Sequence, residues 1–334
     1  MRRAAALLRR RAALALLPLS IVPFAAVAPV IADSHRAFQR EHHMGPLAPI
    51  PMVLTAREAK AFTPPAAPAD RVPVLAWHGI SDAADRQSTT RRAFARQLAL
   101  LHHLGYTTIG TAQWAAFRAG HGTLPRRPIL LTFDDGRLAT YRAADRLLER
   151  AGMRAAMFVT TQAVERGEPK DLRWSELQRM VRSGRWDVEP RGHAGAVRLT
   201  VSATGAQAPF YAARRYTRSQ GQESLSGWEA RVGEDLFAVR DRFAAQGLTP
   251  HAFAVPFSDY GQERGNDPAI PRLLSGLLTR QFGSFFVEDR ADPGFTAPGA
   301  GLAERYLMRP GTSLDALYGW LRRHALHRHH RNTR

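Results

Sequence analysis

Two adjacent carboxylates, Asp134 and Asp135, followed at once by Gly136, are the residues of this chain best suited to chemistry. The run Pro128-Ile129-Leu130-Leu131 leads into Thr132-Phe133-Asp134-Asp135-Gly136, which predicts a short buried strand ending in an acid pair. Side chains alternate along a strand, so the two acids cannot share a face while the strand stays regular. Gly136 lets the backbone turn sharply just beyond them. One acid can then hold a metal ion while its neighbour works on a water, as at a hydrolytic metal site. The competing reading is a polar turn that closes a strand, because Asp-Gly pairs also mark turns.

The elements that must position this pair are strands alternating with helices. Val72-Pro73-Val74-Leu75-Ala76-Trp77-His78-Gly79-Ile80 predicts one strand, Ala155-Ala156-Met157-Phe158-Val159-Thr160-Thr161 another, and Phe253-Ala254-Val255-Pro256-Phe257-Ser258-Asp259-Tyr260-Gly261 a third. Helices are expected over 91–104, 111–119 (opened by a threonine cap), 140–151, 174–183, 227–246, 271–281 and 313–324, several closed by a glycine. Short strands are expected at 106–109 and 285–287. Strands separated by helices of this length argue for parallel βα units. Reactive groups of such folds gather at the C-terminal ends of strands. His78, Asp134 with Asp135, the segment near His193, and Pro256 with Phe257 all fall at such ends.

These segments, in this order and spacing, resemble the polysaccharide deacetylase family, the metal-dependent carbohydrate de-N-acetylases with a NodB-type domain. The similarity runs from about Val72 to Gly261, more weakly to Leu321, and is strongest to the branch acting on poly-N-acetylglucosamine-like polymers. It implies an irregular (β/α) barrel and hydrolysis of N-acetyl groups, assisted by a divalent cation such as Zn²⁺, Co²⁺ or Ni²⁺. By the same resemblance Asp134 would be the general base and Asp135 a metal ligand. Phe257, after Pro256, would offer a backbone N–H to the oxyanion. Asp259 and Tyr260 would line the sugar groove or form a polar turn, and Phe210 and Tyr211 offer a further stacking face or ordinary loop packing.

The imidazole ligands depart from the family pattern. Two histidines are expected after the strand that follows the Trp174-Ser175-Glu176-Leu177 helix, but the stretch from Trp186 to Ala196 holds one, His193. Arg191 and Ala196 fall at the ligand positions. His193, two places from the first, keeps the same face of an extended segment and is either the metal ligand or a plain loop histidine. Glu189 or Asp187 would be needed to complete the shell. An arginine facing the site would oppose a cation. His78 is a substrate contact, a proton donor, a stand-in ligand, or a packed strand-end residue. No general acid is recognisable between Thr279 and Arg334.

Composition bounds the partners. The 334 residues carry 45% hydrophobic side chains, a formal charge of +18 and no cysteine, so any metal site must use oxygen and imidazole ligands. Arg2, Arg3, Arg9, Arg10 and Arg11 precede an uncharged run over 12–32, long enough as a helix to cross a bilayer. The arginines predict a cytoplasmic N-terminus and an exported remainder at the cell envelope, membrane-anchored or secreted. Residues 1–32 are therefore expected to be a signal peptide or anchor, 33–70 a Pro/Ala-rich linker, 71–324 the catalytic domain, and 325–334 a basic His/Arg tail. No nucleic-acid signature accompanies the positive charge. Two alternatives to a hydrolase stay open: a catalytically degenerate glycan binder, and a basic envelope protein that binds anionic polymers by charge.

Overall fold

Parallel pairing dominates the architecture. The computed structural model describes residues 45–65, 70–82, 87–288 and 290–326; the apolar run 12–32 and the end of the basic tail lie outside them. Among the described residues no helix is long and apolar enough to cross a membrane. The chain divides at Leu47, and the fold below belongs to the unit that begins at Ala48.

After a short helix α1 (Ala56–Ala61), the chain runs β1 (Val74–Trp77), α2 (Arg91–His103), β2 (Thr107–Thr108), α3 (Thr111–Arg118), β3 (Pro128–Phe133), α4 (Leu138–Ala151), β4 (Ala155–Val159), α5 (Thr161–Arg166), α6 (Trp174–Arg182) and β5 (Trp186–Pro190). Two small hairpins follow, β6 (Arg198–Thr200) with β7 (Gln207–Pro209), and β8 (Tyr216–Thr217) with β9 (Gly221–Gln222). The chain then forms α7 (Leu225–Ala245), β10 (Phe253–Ala254), α8 (Ile270–Phe282), β11 (Ser284–Val287), β12 (Gly301–Glu304), β13 (Tyr306–Leu307) and α9 (Leu314–Leu326).

One sheet has the order β13-β1-β3-β4-β5, with β2 on the start of β3, and another the order β10-β11-β12; every pair in both is parallel. Arg305 alone separates β12 from β13, so one run of chain passes from the ladder with β11 to the ladder with β1. Its N–H donates to Val287 O at 2.9 Å, and Met308 N–H donates to Ala76 O at 2.8 Å. Across the remaining gap β5 and β10 share no ladder. There the Glu189 carboxylate accepts the N–H groups of His251 (2.8 Å) and Ala252 (3.1 Å). The result is the irregular (β/α) barrel that the resemblance implies.

Two apolar clusters mark the two faces of the strands. Val74, Leu130, Ala156, Phe158, Ala254, Phe286 and Ala303 pack inside the barrel with Trp114 and Phe117 of α3. Their neighbours Leu75, Leu131, Phe133, Met157, Val188, Phe253 and Phe285 pack outward against the helices. Burying each such large side chain stabilises the fold by about 1.5–3 kcal/mol. The alternation decides the site, because whatever lies two residues beyond an inward residue also points inward.

Residues 48–65, expected as part of an extended linker, lie on this unit. Ile50, Met52 and Leu54 pack on the core and Phe62 is buried in it. Thr55 caps α1: its hydroxyl accepts the Glu58 N–H at 3.2 Å, and the Glu58 carboxylate accepts the Thr55 N–H at 2.9 Å.

Candidate functional site

Inward alternation brings a ring of polar groups to the C-terminal ends of the strands. Asp134 continues the inward row of Leu130 and Thr132, His78 follows Ala76, Glu288 follows Phe286, Arg305 follows Ala303, and Arg191 follows Glu189. Beyond Asp134 the strand ends. Asp135 adopts φ 74° and Gly136 φ 62°. A Cβ on Gly136 would lie 2.9 Å from Val159 Cγ1, so both the turn and the close approach require glycine there. Phe257 (φ 62°) and Ser258 (φ 54°) are the other non-glycine residues in left-handed backbone among the described residues. All three strained positions therefore border this mouth.

Asp134 is buried and gripped by a fork. Arg305 donates from Nη1 to Oδ1 at 2.9 Å and from Nη2 to Oδ2 at 2.8 Å, and also reaches Thr132 Oγ1 at 3.2 Å. The guanidinium of Arg305 lies over the Phe158 and Phe286 rings, 5.4 and 5.6 Å from their centroids. Its Nη2 also pairs with Glu288, whose other oxygen meets His78 Nε2 at 2.8 Å. Arg191 pairs with Asp135 Oδ1 and lies 3.7 Å from Asp134 Oδ2. Arg137 approaches the second oxygen of Asp135 to 3.9 Å. Three carboxylates thus face three guanidinium groups.

The electrostatics follow from these contacts. Burial would raise the Asp134 carboxyl, but the charges of Arg305 and Arg191 override it and hold it well below the usual range. Burial also works against the charged forms of Arg191 and Arg305, and the neighbouring carboxylates raise both above the ordinary value nonetheless. The hydrogen bond to Glu288 raises His78 despite partial burial.

The structure brings Asp134 together with His78 and Glu288, whose ligand-type atoms all lie within 4.8 Å of one another. Neither Asp135 nor His193 belongs to that group. His193 Nδ1 meets Thr161 Oγ1 at 2.9 Å. Asp235 of α7 accepts the His193 N–H at 2.9 Å and the Ala194 N–H at 2.7 Å, fixing the loop. Asp187 is occupied by Arg154 (2.7 Å) and by the Thr111 N–H (2.8 Å) at the start of α3, where Gly110 rather than a threonine is the N-cap. Glu189 closes the barrel seam. Pro256 is buried and Phe257 is 44% exposed, with the Arg198 guanidinium 4.6 Å from its ring centroid. Asp259 is buried and holds a turn, accepting the Gly261 N–H at 2.9 Å. Tyr260 packs its ring on Phe285, 5.8 Å between centroids. Tyr211 is buried with its hydroxyl on Asp235, so it offers no stacking face to solvent. Arg231 lies 4.4 Å from the Phe210 ring. Sequence reasoning gave Glu288 and Arg305 no role in the site; only the spacing of Glu288 from Phe285-Phe286 hinted that an acid stands at a strand end.

The donor types of His78, Asp134 and Glu288 are those a divalent cation takes. Their surroundings are not. Both carboxylates already share the Arg305 guanidinium, which has no lone pair to give and does not lose its proton. The cluster is charge-balanced as it stands, and an added dication would meet three fixed positive charges at low dielectric.

Residues 121–263 match the family model described as polysaccharide deacetylase. Polysaccharide deacetylases are the relatives of this chain. It is 24% identical over 209 residues to the poly-β-1,6-N-acetyl-D-glucosamine N-deacetylase of Escherichia coli K12, a match covering 57% of this chain and 31% of that protein. It is 25% identical over 114 residues to the putative polysaccharide deacetylase YxkH of Bacillus subtilis, covering 34% and 40%. The chain thus spans less than half the length of these relatives. Among solved structures, a de-N-acetylase from Aggregatibacter actinomycetemcomitans superimposes with a TM-score of 0.66 at 18% identity, covering 75% of this chain and 100% of that one. IcaB from Ammonifex degensii does so with 0.57 at 24% identity, covering 76% and 97%. These likenesses establish the NodB-type fold.

Proposed function

We infer that this deacetylase-fold domain binds an N-acetylhexosamine-containing polysaccharide at the barrel mouth, on the extracytoplasmic side, and has lost the metal-assisted hydrolysis of its relatives. One observation carries the reading: the Arg191 guanidinium sits on Asp135, the acid that the resemblance makes a metal ligand. A second supports it. Asp134 is the carboxylate that would take a proton from water, yet Arg305 grips both its oxygens and holds its basicity low, the opposite of a general base tuned toward neutrality. The exposed Phe257 ring at the mouth supports retained contact with sugar. The extracytoplasmic side rests on the arginine-flanked apolar run 12–32.

The hydrolase reading keeps one observation in its favour, the His78–Glu288 pair beside Asp134. Acetate release decides between them. The full chain is incubated with acetylated glucosamine oligomers and Zn²⁺, Co²⁺ or Ni²⁺, and binding of the same oligomers is followed by calorimetry. Saturable binding with no acetate under any metal is expected. Metal-stimulated acetate from the parent, abolished in Asp134→Asn, would restore the hydrolase; failure to bind any oligomer would remove the glycan reading.

A further inference from the structure

We propose that the barrel mouth selects an acidic glycan, one carrying carboxylate or sulfate groups, over a neutral polymer of the same N-acetylhexosamine; this rests on the glycan-binding reading above.

Phe257 stands exposed at the barrel mouth. Its ring is the large aromatic surface exposed beside the site, and a sugar would use such a face for stacking. Arg198 of β6 covers that ring, its guanidinium 4.6 Å from the centroid. Arg198 is exposed and makes no ion pair among the described residues. A neutral sugar would have to displace this cation–π contact without replacing it, which weakens its binding about two- to fivefold. A sugar acid gives the displaced guanidinium a carboxylate to pair with, in the two-point geometry that arginine favours.

A second guanidinium stands at the turn that follows the acid pair. Arg137 is 41% exposed on its side chain and stands 3.9 Å from Asp135 Oδ2, beyond hydrogen-bond reach. Asp135 is already matched through its other oxygen by Arg191. Arg137 therefore serves Asp135 only at a distance, and it and Arg198, the guanidinium groups that face solvent, have donors to spare. His78, 35% exposed on its side chain, adds positive character at the same rim when protonated. The formal charge of +18 would draw a polyanion toward the chain from a distance. Selectivity by contrast comes from these two side chains.

The test compares two hexasaccharides on the full chain by calorimetry: neutral chitohexaose, and hyaluronan, in which N-acetylglucosamine alternates with glucuronate. Binding of hyaluronan at least tenfold tighter at 50 mM salt is expected. Arg198→Gln and Arg137→Gln should each cut that affinity three- to tenfold; chitohexaose binding should tighten about two- to fivefold in Arg198→Gln, where there is no cation–π contact left to displace, and stay within twofold in Arg137→Gln. Arg280→Gln, at the far end of α8, should change neither and so controls for general charge. Equal affinity for the two sugars, or an Arg280→Gln loss as large as that at Arg198, overturns the proposal while glycan binding stands. Binding of neither sugar overturns both readings.

Discussion

Arg305 and Asp134 form a buried two-point ion pair, 171 residues apart in sequence, at the point where β12 passes into β13 and joins the two sheets. Removing one partner takes the two-point contact from a buried charge, leaving Arg305 with Glu288 or Asp134 with Arg191 at 3.7 Å, a loss of about 3–5 kcal/mol. Arg305→Met should cost that much by urea denaturation, and Asp134→Asn nearly as much. The double variant should lose clearly less than the two losses added, because neither charge is then left unpaired. Additive losses would show that the pair does not hold the seam.

Arg191→His removes the guanidinium from Asp135 and installs an imidazole at the position where the family resemblance places a metal ligand. Zn²⁺ titrated into the parent should give no saturable heat. The variant should bind it at least tenfold more tightly, through Asp135 and the new imidazole beside Asp134. Unchanged Zn²⁺ binding would mean that Arg191 is not what stands in the cation's place.

The His78–Glu288 hydrogen bond favours the imidazolium, so the folded pKa of His78 lies above its ordinary value near 6.5. The stabilisation from this pair is fully present below pH 6.5 and is lost as pH rises through the raised value. A ¹H–¹⁵N titration of the His78 ring should show this, and Glu288→Gln should bring the midpoint down. A midpoint unmoved by that substitution would assign the shift to another neighbour.

Glu189 behaves in the opposite chemical sense. Burial raises its carboxyl from 4.5 to about 8, even with backbone N–H donors at the seam between β5 and β10. The folded chain therefore holds a proton that the unfolded chain releases between these values. Its contribution is least costly below pH 4.5 and becomes steadily more destabilising up to about pH 8. Glu189→Gln keeps an acceptor for the two N–H groups and cannot ionise. Its stability relative to the parent should rise between pH 5 and 8 by on the order of a few kcal/mol. A difference that stays flat over this range would mean Glu189 is ionised in the fold.

The sequence exposes some of this plainly and conceals the rest for physical reasons. The strands at Val74, Leu130 and Ala156 are buried on both faces and read as unbroken apolar runs, and the acid pair ending one of them marks the mouth. The closing run Gly301-Leu302-Ala303-Glu304-Arg305-Tyr306-Leu307 does not read as a strand, because two charges sit at its centre. One of them, Arg305, points inward and is matched by Asp134, far away in sequence, together with Glu288. The path of His193 was equally hidden: Asp235, 42 residues on, fixes that loop through its backbone. Tyr211 looked like a loop aromatic until the same Asp235 buried its hydroxyl.

The segment before the barrel shows how proline can mask packing. Pro46, Pro49, Pro51, Pro64, Pro65 and Pro68 make residues 33–70 read as linker. Yet Phe62 is 4% exposed and its ring centroid lies 4.9 Å from that of Tyr318 on α9. The Tyr318 hydroxyl donates to Thr63 O at 3.1 Å, and Arg150 Nη1 to Ile50 O at 2.8 Å. Truncating a buried phenylalanine costs about 3–5 kcal/mol when the site cannot collapse. Phe62→Ala should therefore destabilise the chain by about 3 kcal/mol in urea denaturation, and Tyr318→Phe by about 1 kcal/mol through the lost hydrogen bond. A tether would tolerate both changes within about 0.5 kcal/mol, the range of ordinary surface substitutions.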